Sequence, residues 1–233
     1  MKLIRYRHGN RTQVGILNGS AVTPVAEGDV LAIIRENSVA RLKAIGPAVS
    51  LSEVAPLLPY DVPPKIWCIG LNYRSHAEDI NAVQPEEPGS FMKPASCMFP
   101  PGGDIVLPPP EISNDVDAEG ELGVIVGRRC RFVGADSVRD VIFGYTTTLD
   151  LTALDVLRKN PRYLTRAKSI DTFFSFGPVV VTADEIPDVD ALEVITEHND
   201  AVCSRDFVRN MRTRPFELVR YHSDFMTLEP GDL

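Results

Sequence analysis

Asp117-Ala-Glu119-Gly-Glu121-Leu-Gly-Val-Ile-Val126 is the stretch on which the fold turns. Side chains along a strand alternate between its two faces. Ala118, Gly120, Leu122, Val124 and Val126 therefore share one face, and Glu119 and Glu121 share the other with Ile125 and Gly127. Two like charges side by side on a strand repel each other, and burial worsens the conflict by pushing one of them to protonate. A hard cation between them removes the conflict, because carboxylate oxygens are the ligands that Mg²⁺ and Ca²⁺ prefer. A solvated strand face accounts equally for two exposed glutamates; Ile125 and Gly127 on the same face weigh against it.

Working outward, further strands are expected at about 141–149, 177–182 and 192–197, with helices near 135–140, 152–159 and 216–226. Asp150 ends the run Val141–Leu149. It either caps a helix beginning at Thr152 or, if the two strands are neighbours, completes a three-carboxylate set with Glu119 and Glu121, a plausible donor set for Mg²⁺ or Mn²⁺. Residues 1–25 read as a three-stranded meander turning at His8-Gly9-Asn10 and Asn18-Gly19, since Asn-Gly supplies the positive φ of a tight hairpin. Pro24 makes the third strand short or an edge. Asp29 is positioned to cap a helix through Leu31, Ile33 and Ile34, and a second short helix is expected over 38–45. The prolines between Pro56 and Pro64 exclude a helix or a central strand and mark a boundary. The expected organisation is a small N-terminal β-rich domain, residues 1–60, and a main domain, 61–233. Lys65–Gly70 reads as a short buried strand, followed by a helix that Asn72 caps and that runs through Ile80. Short strands with few helices make this an α+β fold, β-rich and mixed, not a doubly wound sheet.

Two further side chains stand out. His76 and Asp79 are at i and i+3 on the expected helix and face the same way, so the carboxylate orients the imidazole as in general bases that activate water. An ordinary charged surface helix gives the same spacing. Lys168 sits among small and polar residues before an aromatic run ending at Gly177-Pro178. It reads either as a solvated surface charge or as a lysine entering a pocket to stabilise a developing oxyanion. His8, His198 and His222 are expected to be structural or solvated.

Of the 233 residues, 44% are hydrophobic and 24% charged, an ordinary globular mixture. The net charge is −8, and no run of Lys/Arg exceeds two; a nucleic-acid partner needs a basic stripe, which is missing. No window approaches a membrane span, and the N-terminus has no secretory apolar region. Cys68, Cys97, Cys130 and Cys203 are scattered with no CxxC pair, the pattern of reduced thiols in a cytoplasmic protein.

Taken in order, Gly70-Leu-Asn-Tyr-Arg-Ser-His76, Phe91-Met-Lys-Pro94, Glu119-Gly-Glu121-Leu-Gly-Val, Gly144-Tyr145, Asp150, Thr165-Arg-Ala-Lys168-Ser, Gly177-Pro178 and Met226-Thr-Leu-Glu-Pro-Gly-Asp232 resemble the fumarylacetoacetate hydrolase family from about Lys65 onward. The resemblance implies a roll- or barrel-like mixed β core, a homodimer or higher homo-oligomer, and Mg²⁺ or Mn²⁺ (Ca²⁺ as a further candidate). Glu119, Glu121 and Asp150 match the family's metal ligands, His76 its helix histidine and Lys168 its active-site lysine. It implies an enzyme cleaving a C–C bond in a small anionic 2-oxo acid or 1,3-dicarbonyl substrate, in the breakdown of aromatic compounds or keto acids. Decarboxylation, isomerisation or hydration on the same site is the alternative, and an inactive member with a binding or scaffolding role is a third.

Three features depart from the family pattern. Asp79 stands where glutamate is usual. Leu154 and Leu157 replace an arginine and a glutamine, which removes a bidentate carboxylate anchor and leaves Arg158 and Arg166 as substitutes. The pattern also continues past Asp232 into a strand and a threonine–glycine-rich loop, so the catalytic region is expected to be truncated at Leu233.

Overall fold

Leu3, Ile4 and Tyr6 are the buried apolar residues of the first strand, and their burial on both of its faces explains the architecture around it. A computed structural model of the chain describes residues 1–79 and 82–233, with the side chains of Glu27, His76 and Asp79 outside the description. The chain opens with β1 (Lys2–His8), β2 (Arg11–Asn18), β3 (Ala21–Glu27) and α1 (Val30–Arg35), then the two-residue strands β4 (Val49–Ser50) and β5 (Ala55–Pro56). It continues through β6 (Trp67–Gly70), α2 (Arg74–Asp79), β7 (Gly89–Met92), β8 (Val116–Val126), β9 (Ile142–Ala153), α3 (Leu154–Lys159) and α4 (Leu164–Lys168). The last elements are β10 (Phe174–Phe176), β11 (Val179–Thr182), β12 (Glu193–His198), β13 (Ala201–Phe207) and α5 (Pro215–Phe225).

Nine strands form one sheet in the order β10-β9-β11-β1-β2-β3-β4, with β8 on β9 and β5 on β1. The sheet is an open, β-rich α+β roll. β9 organises one half: β8 pairs with it along nearly its whole length, while β10 and β11 share its other edge. The expected meander is present, and it joins the same sheet through β1, whose Lys2 lies opposite Val181. β6 with β7, and β12 with β13, form separate two-stranded sheets.

β1 is buried on both faces. Leu3 enters a large cluster with Val14, Ile34, Ile66, Ile125 and Phe176, while Ile4 and Tyr6 pack with Val22 and Val54 on the other side. α1 closes the large cluster with Val30, Leu31, Ile33 and Ile34, and Asp29 caps it as expected, its side chain accepting from Ala32 N at 3.0 Å. At the far end of the chain, Gly231–Leu233 lies between β8 and β6. Gly231 N donates to Val126 O (2.8 Å), Val126 N to Asp232 O (2.9 Å) and Trp67 N to Leu233 O (2.7 Å). The Lys65 ammonium fixes the buried Asp232 carboxylate at 2.6 Å. These contacts hold β6 and β7 against β8.

Several local expectations are corrected. Residues 38–45 and 135–140 form only 3₁₀ turns, at Val39–Arg41 and Val138–Val141. Asp150 does not cap a helix, because β9 runs on to Ala153 and α3 starts at Leu154. β6 is half-buried, not buried. Asn72 is committed elsewhere: its amide donates to Thr213 O and accepts from Thr213 N, both at 2.9 Å. The expected helix end at Ile80 lies outside the described residues. Among those residues no helix is long and apolar enough to cross a membrane, and the four cysteines are unpaired.

Ile125, fully buried in β8, and Asp29 set two different scales of stability. Ile125→Ala is expected to destabilise the fold by ~2–5 kcal/mol through lost transfer energy and a residual cavity. Asp29→Ala is expected to cost ~1 kcal/mol through the lost cap. Urea denaturation of both variants beside the parent checks the difference.

Candidate functional site

The register of β8 against β9 builds the floor of the site. Glu119 lies directly opposite Asp150 and Glu121 opposite Thr148, so all three acids project from the same face of the ladder. Contacts around Asp150 are dense: it is only 4% exposed, and two ammonium groups hold it. Lys93 Nζ is 2.6 Å from Asp150 Oδ1 and also donates to Leu151 O at 3.3 Å. Lys168 Nζ is 2.9 Å from Asp150 Oδ2 and reaches Glu119 Oε2 at 3.0 Å and Oε1 at 3.2 Å. The buried Thr152 hydroxyl donates to Glu119 Oε1 at 2.6 Å.

Lys168 is therefore no surface charge. It is the last residue of α4, 5% exposed, with its ammonium 5.0 Å from the centre of the Phe91 ring. Burial by itself lowers an ammonium pKa; the charges of Glu119 and Asp150 and their hydrogen bonds outweigh this and hold Lys168 above the usual lysine range. Lys93, just beyond β7, is 3% exposed and lies 5.9 Å from the centre of the Phe174 ring. Sequence reasoning missed it as a site residue. The available signal was its two-residue spacing from Phe91, which places both side chains on one face of an extended segment.

Glu121 is the acid left over. Two ammonium groups serve Glu119 and Asp150, and no salt bridge or hydrogen bond to the Glu121 carboxyl is found among the described residues. Burial first, then the charges of Glu119 and Asp150, push its pKa up to about 8, with Lys168 partly opposing them. Glu121 and Asp150 stand at the end of a largely apolar cleft between β6 and β8, walled by Trp67, Cys68, Leu122, Val124 and Phe174. His222, expected to be structural or solvated, is buried in the wall of this cleft, with Nδ1 2.8 Å from Leu218 O and its ring 5.2 Å from that of Trp67. His8 and His198 are exposed.

The structure thus brings Glu119, Glu121, Asp150 and Lys168 together. His76 and Asp79 both lie on α2; their side chains are outside the described residues, and so is their expected pairing. Arg158 and Arg166 are not part of the site. Both are exposed, and Arg158 pairs with Asp115. Leu157, in place of the usual glutamine, packs with Phe99, Leu151, Val156 and Phe173.

The donor chemistry fits a hard divalent cation: three carboxylates on one face, one of them lacking a countercharge. As they are placed, however, no three His, Cys, Asp or Glu side chains among the described residues are gathered closely enough to hold an ion, and Lys168 stands between Glu119 and Asp150. Shared ligation requires that ammonium to move aside.

A family model described as fumarylacetoacetate (FAA) hydrolase C-terminal matches residues 65–233. Human mitochondrial oxaloacetate tautomerase FAHD2B is 33% identical over 226 residues, 94% of this chain and 71% of that protein. The 5-carboxymethyl-2-hydroxymuconate delta-isomerase of Mycobacterium smegmatis superposes with a TM-score of 0.80 at 30% identity, covering 100% of this chain and 86% of the other. The maleylpyruvate hydrolase of Sphingobium sp. SYK-6, solved in complex with manganese (II) ion and pyruvate, superposes with a TM-score of 0.78 at 26% identity over the same shares.

The raised Glu121 pKa has a definite sign. Between about 4.5 and about 8 the folded chain keeps a proton that the unfolded chain has lost, so stability of the metal-free protein should fall as pH rises through that window. Glu121→Gln should flatten this slope. Urea midpoints at several pH values for parent and variant decide it; identical slopes would refute the assignment.

Proposed function

The chain belongs to the fumarylacetoacetate hydrolase family, and from that premise we propose that it is a divalent-metal-dependent enzyme acting on a small 2-oxo acid, with keto–enol tautomerisation of a 2-oxo diacid such as oxaloacetate as its reaction. The observation that carries this reading is the buried arrangement of Lys93 and Lys168 among Glu119, Glu121 and Asp150 at the end of an apolar cleft. Such a site binds an anion locally although the whole chain is acidic.

Glu119, Glu121 and Asp150 would hold the ion, Mg²⁺ or Mn²⁺; when bound it supplies Lewis acidity toward a 2-oxo acid. The remaining work falls to the chain's own groups. Lys168, moved off its carboxylates, presents an ammonium to the oxygen that gains charge on enolisation. Lys93 stays on Asp150 and keeps that carboxylate oriented. His76 on α2, assisted by Asp79, is the proposed base that takes the proton from the carbon next to the keto group. The apolar cleft walls limit water, which favours proton transfer over hydrolysis.

Hydrolytic cleavage of a C–C bond in an acylpyruvate is the second reading, supported by the structural likeness to a maleylpyruvate hydrolase. In it the same base activates water instead.

Lys168→Met is expected to lower turnover about 10²–10³-fold, the scale for losing one oxyanion donor, with KM changed far less. Glu119→Ala is expected to abolish Mn²⁺ binding by calorimetry. Keto–enol conversion of oxaloacetate, followed by ultraviolet absorbance, and pyruvate release from acylpyruvates separate the two reactions. A folded, Mn²⁺-loaded protein with neither activity would overturn the enzymatic reading, and unchanged Mn²⁺ affinity in Glu119→Ala would overturn the ligand set.

A further inference from the structure

We propose that the β12–β13 hairpin is a spacer that fixes the position of the helix bearing His76 relative to the strand bearing Glu119 and Glu121, with Ser75, Asp206 and Thr196 as its positioning residues. The inference deepens the proposed function and rests on His76 as the base.

The hairpin is a separate two-stranded sheet with one attachment on each strand. On one side, Gly120 N donates to the Thr196 hydroxyl at 3.1 Å. Gly120 lies between Glu119 and Glu121, and any Cβ there would run into Thr196 Oγ1, so β12 lies directly against the backbone that carries the acids. On the other side, Asp206 Oδ2 accepts from the Ser75 hydroxyl at 2.5 Å, one residue before His76. The other oxygen of Asp206 accepts from Phe207 N at 2.7 Å and Asn210 Nδ2 at 2.6 Å. With both oxygens engaged, the carboxylate has one orientation to offer Ser75. Burial opposes its ionisation, but the hydrogen bonds from Ser75, Asn210 and Phe207 prevail and hold it below the usual carboxylate range.

The two attachments are close along the hairpin. Asp206 lies opposite Val194, two residues from Thr196 on β12. The chain beyond the hairpin also grips the approach to α2. Arg212 N donates to Asn72 O at 2.8 Å, Tyr73 forms a β-bridge with Met211, and the Asn72 amide is tied to Thr213. Arg74–Asp79 is the described extent of α2, and these contacts grip it at its N-terminal end. Its placement is therefore inherited from the hairpin, and a misplacement of about 1 Å at a reacting group costs on the order of 10²-fold in rate.

The test uses Ser75→Ala, Asp206→Ala, their double variant, Ser75→Thr and His76→Ala in the full chain, loaded with Mn²⁺ and assayed on oxaloacetate. Ser75→Ala and Asp206→Ala are expected to lower kcat roughly 10- to 100-fold with KM within about twofold and the melting temperature within about 4 °C. The double variant should be no slower than the slower single, and Ser75→Thr should restore most of the loss. Amide exchange over residues 74–79 should quicken about tenfold or more in Ser75→Ala. Exchange is read without turnover, so it decides the spacer by itself: unchanged protection of α2 overturns the proposal. Full activity of His76→Ala would instead sink the assignment of the base while leaving the exchange result to stand or fall separately.

Discussion

A buried carboxylate held from two sides by ammonium groups is the constraint around which this protein is built. Asp150 is almost wholly removed from water, and Lys93 and Lys168 compensate its charge. Removing one partner from such an arrangement leaves an uncompensated buried charge, among the costliest changes a fold can suffer. The requirement reaches far along the chain. β9 must extend past the acid to Ala153, β7 must deliver Lys93 from one side, and α4 must end with Lys168 on the other. Three acids and two lysines leave one carboxyl without a countercharge: Glu121, the acid facing the cleft, which keeps its proton at neutral pH in the metal-free protein. The floor of the site is thus rigid where it is compensated and receptive where it is not.

The other wall of the site is made differently. α2 is held at its N-terminal end by contacts from the hairpin and from the chain that follows it. A stiff charged floor facing a borrowed helix is a sensible division, since ligand entry needs movement somewhere and the least locally stable elements supply it. The hairpin sits between the two and touches both.

Much of this is legible in the amino-acid sequence. The two-residue alternation of β8 announced that Glu119 and Glu121 share a face, because that periodicity is a direct consequence of strand geometry. Asp150 was legible as a third acid but not as a strand residue, since a carboxylate before a helical run looks the same whether it caps or pairs. Lys168 was suspected from its small neighbours. Lys93 is hard to read because the residue that makes it special is distant: Asp150 is 57 positions away, and the spacing from Phe91 is its one local mark. The loss of the usual arginine and glutamine at Leu154 and Leu157 points to Arg158 or Arg166 as a substitute guanidinium. Neither Arg158 nor Arg166 takes that place, since both are exposed and Arg158 pairs with Asp115. β10 is only three residues long, too few to show a pattern, and the mostly exposed β13 gains strand character from pairing with β12 and not from its own pattern.

The pairing of β1 with β11 sets a problem in time. Lys2 and Val181 are neighbours in the sheet but lie 179 positions apart, so a chain made from its N-terminus exposes the first strand long before its partner emerges from the ribosome. Bringing such distant segments together is slow, because the entropy of closing the loop is lost before the contact is gained. At synthesis rates of roughly 5–20 residues per second, that edge stays open for on the order of ten seconds or more. Until then the Lys2–Ile4 part of that edge is an unpaired template that other chains can join.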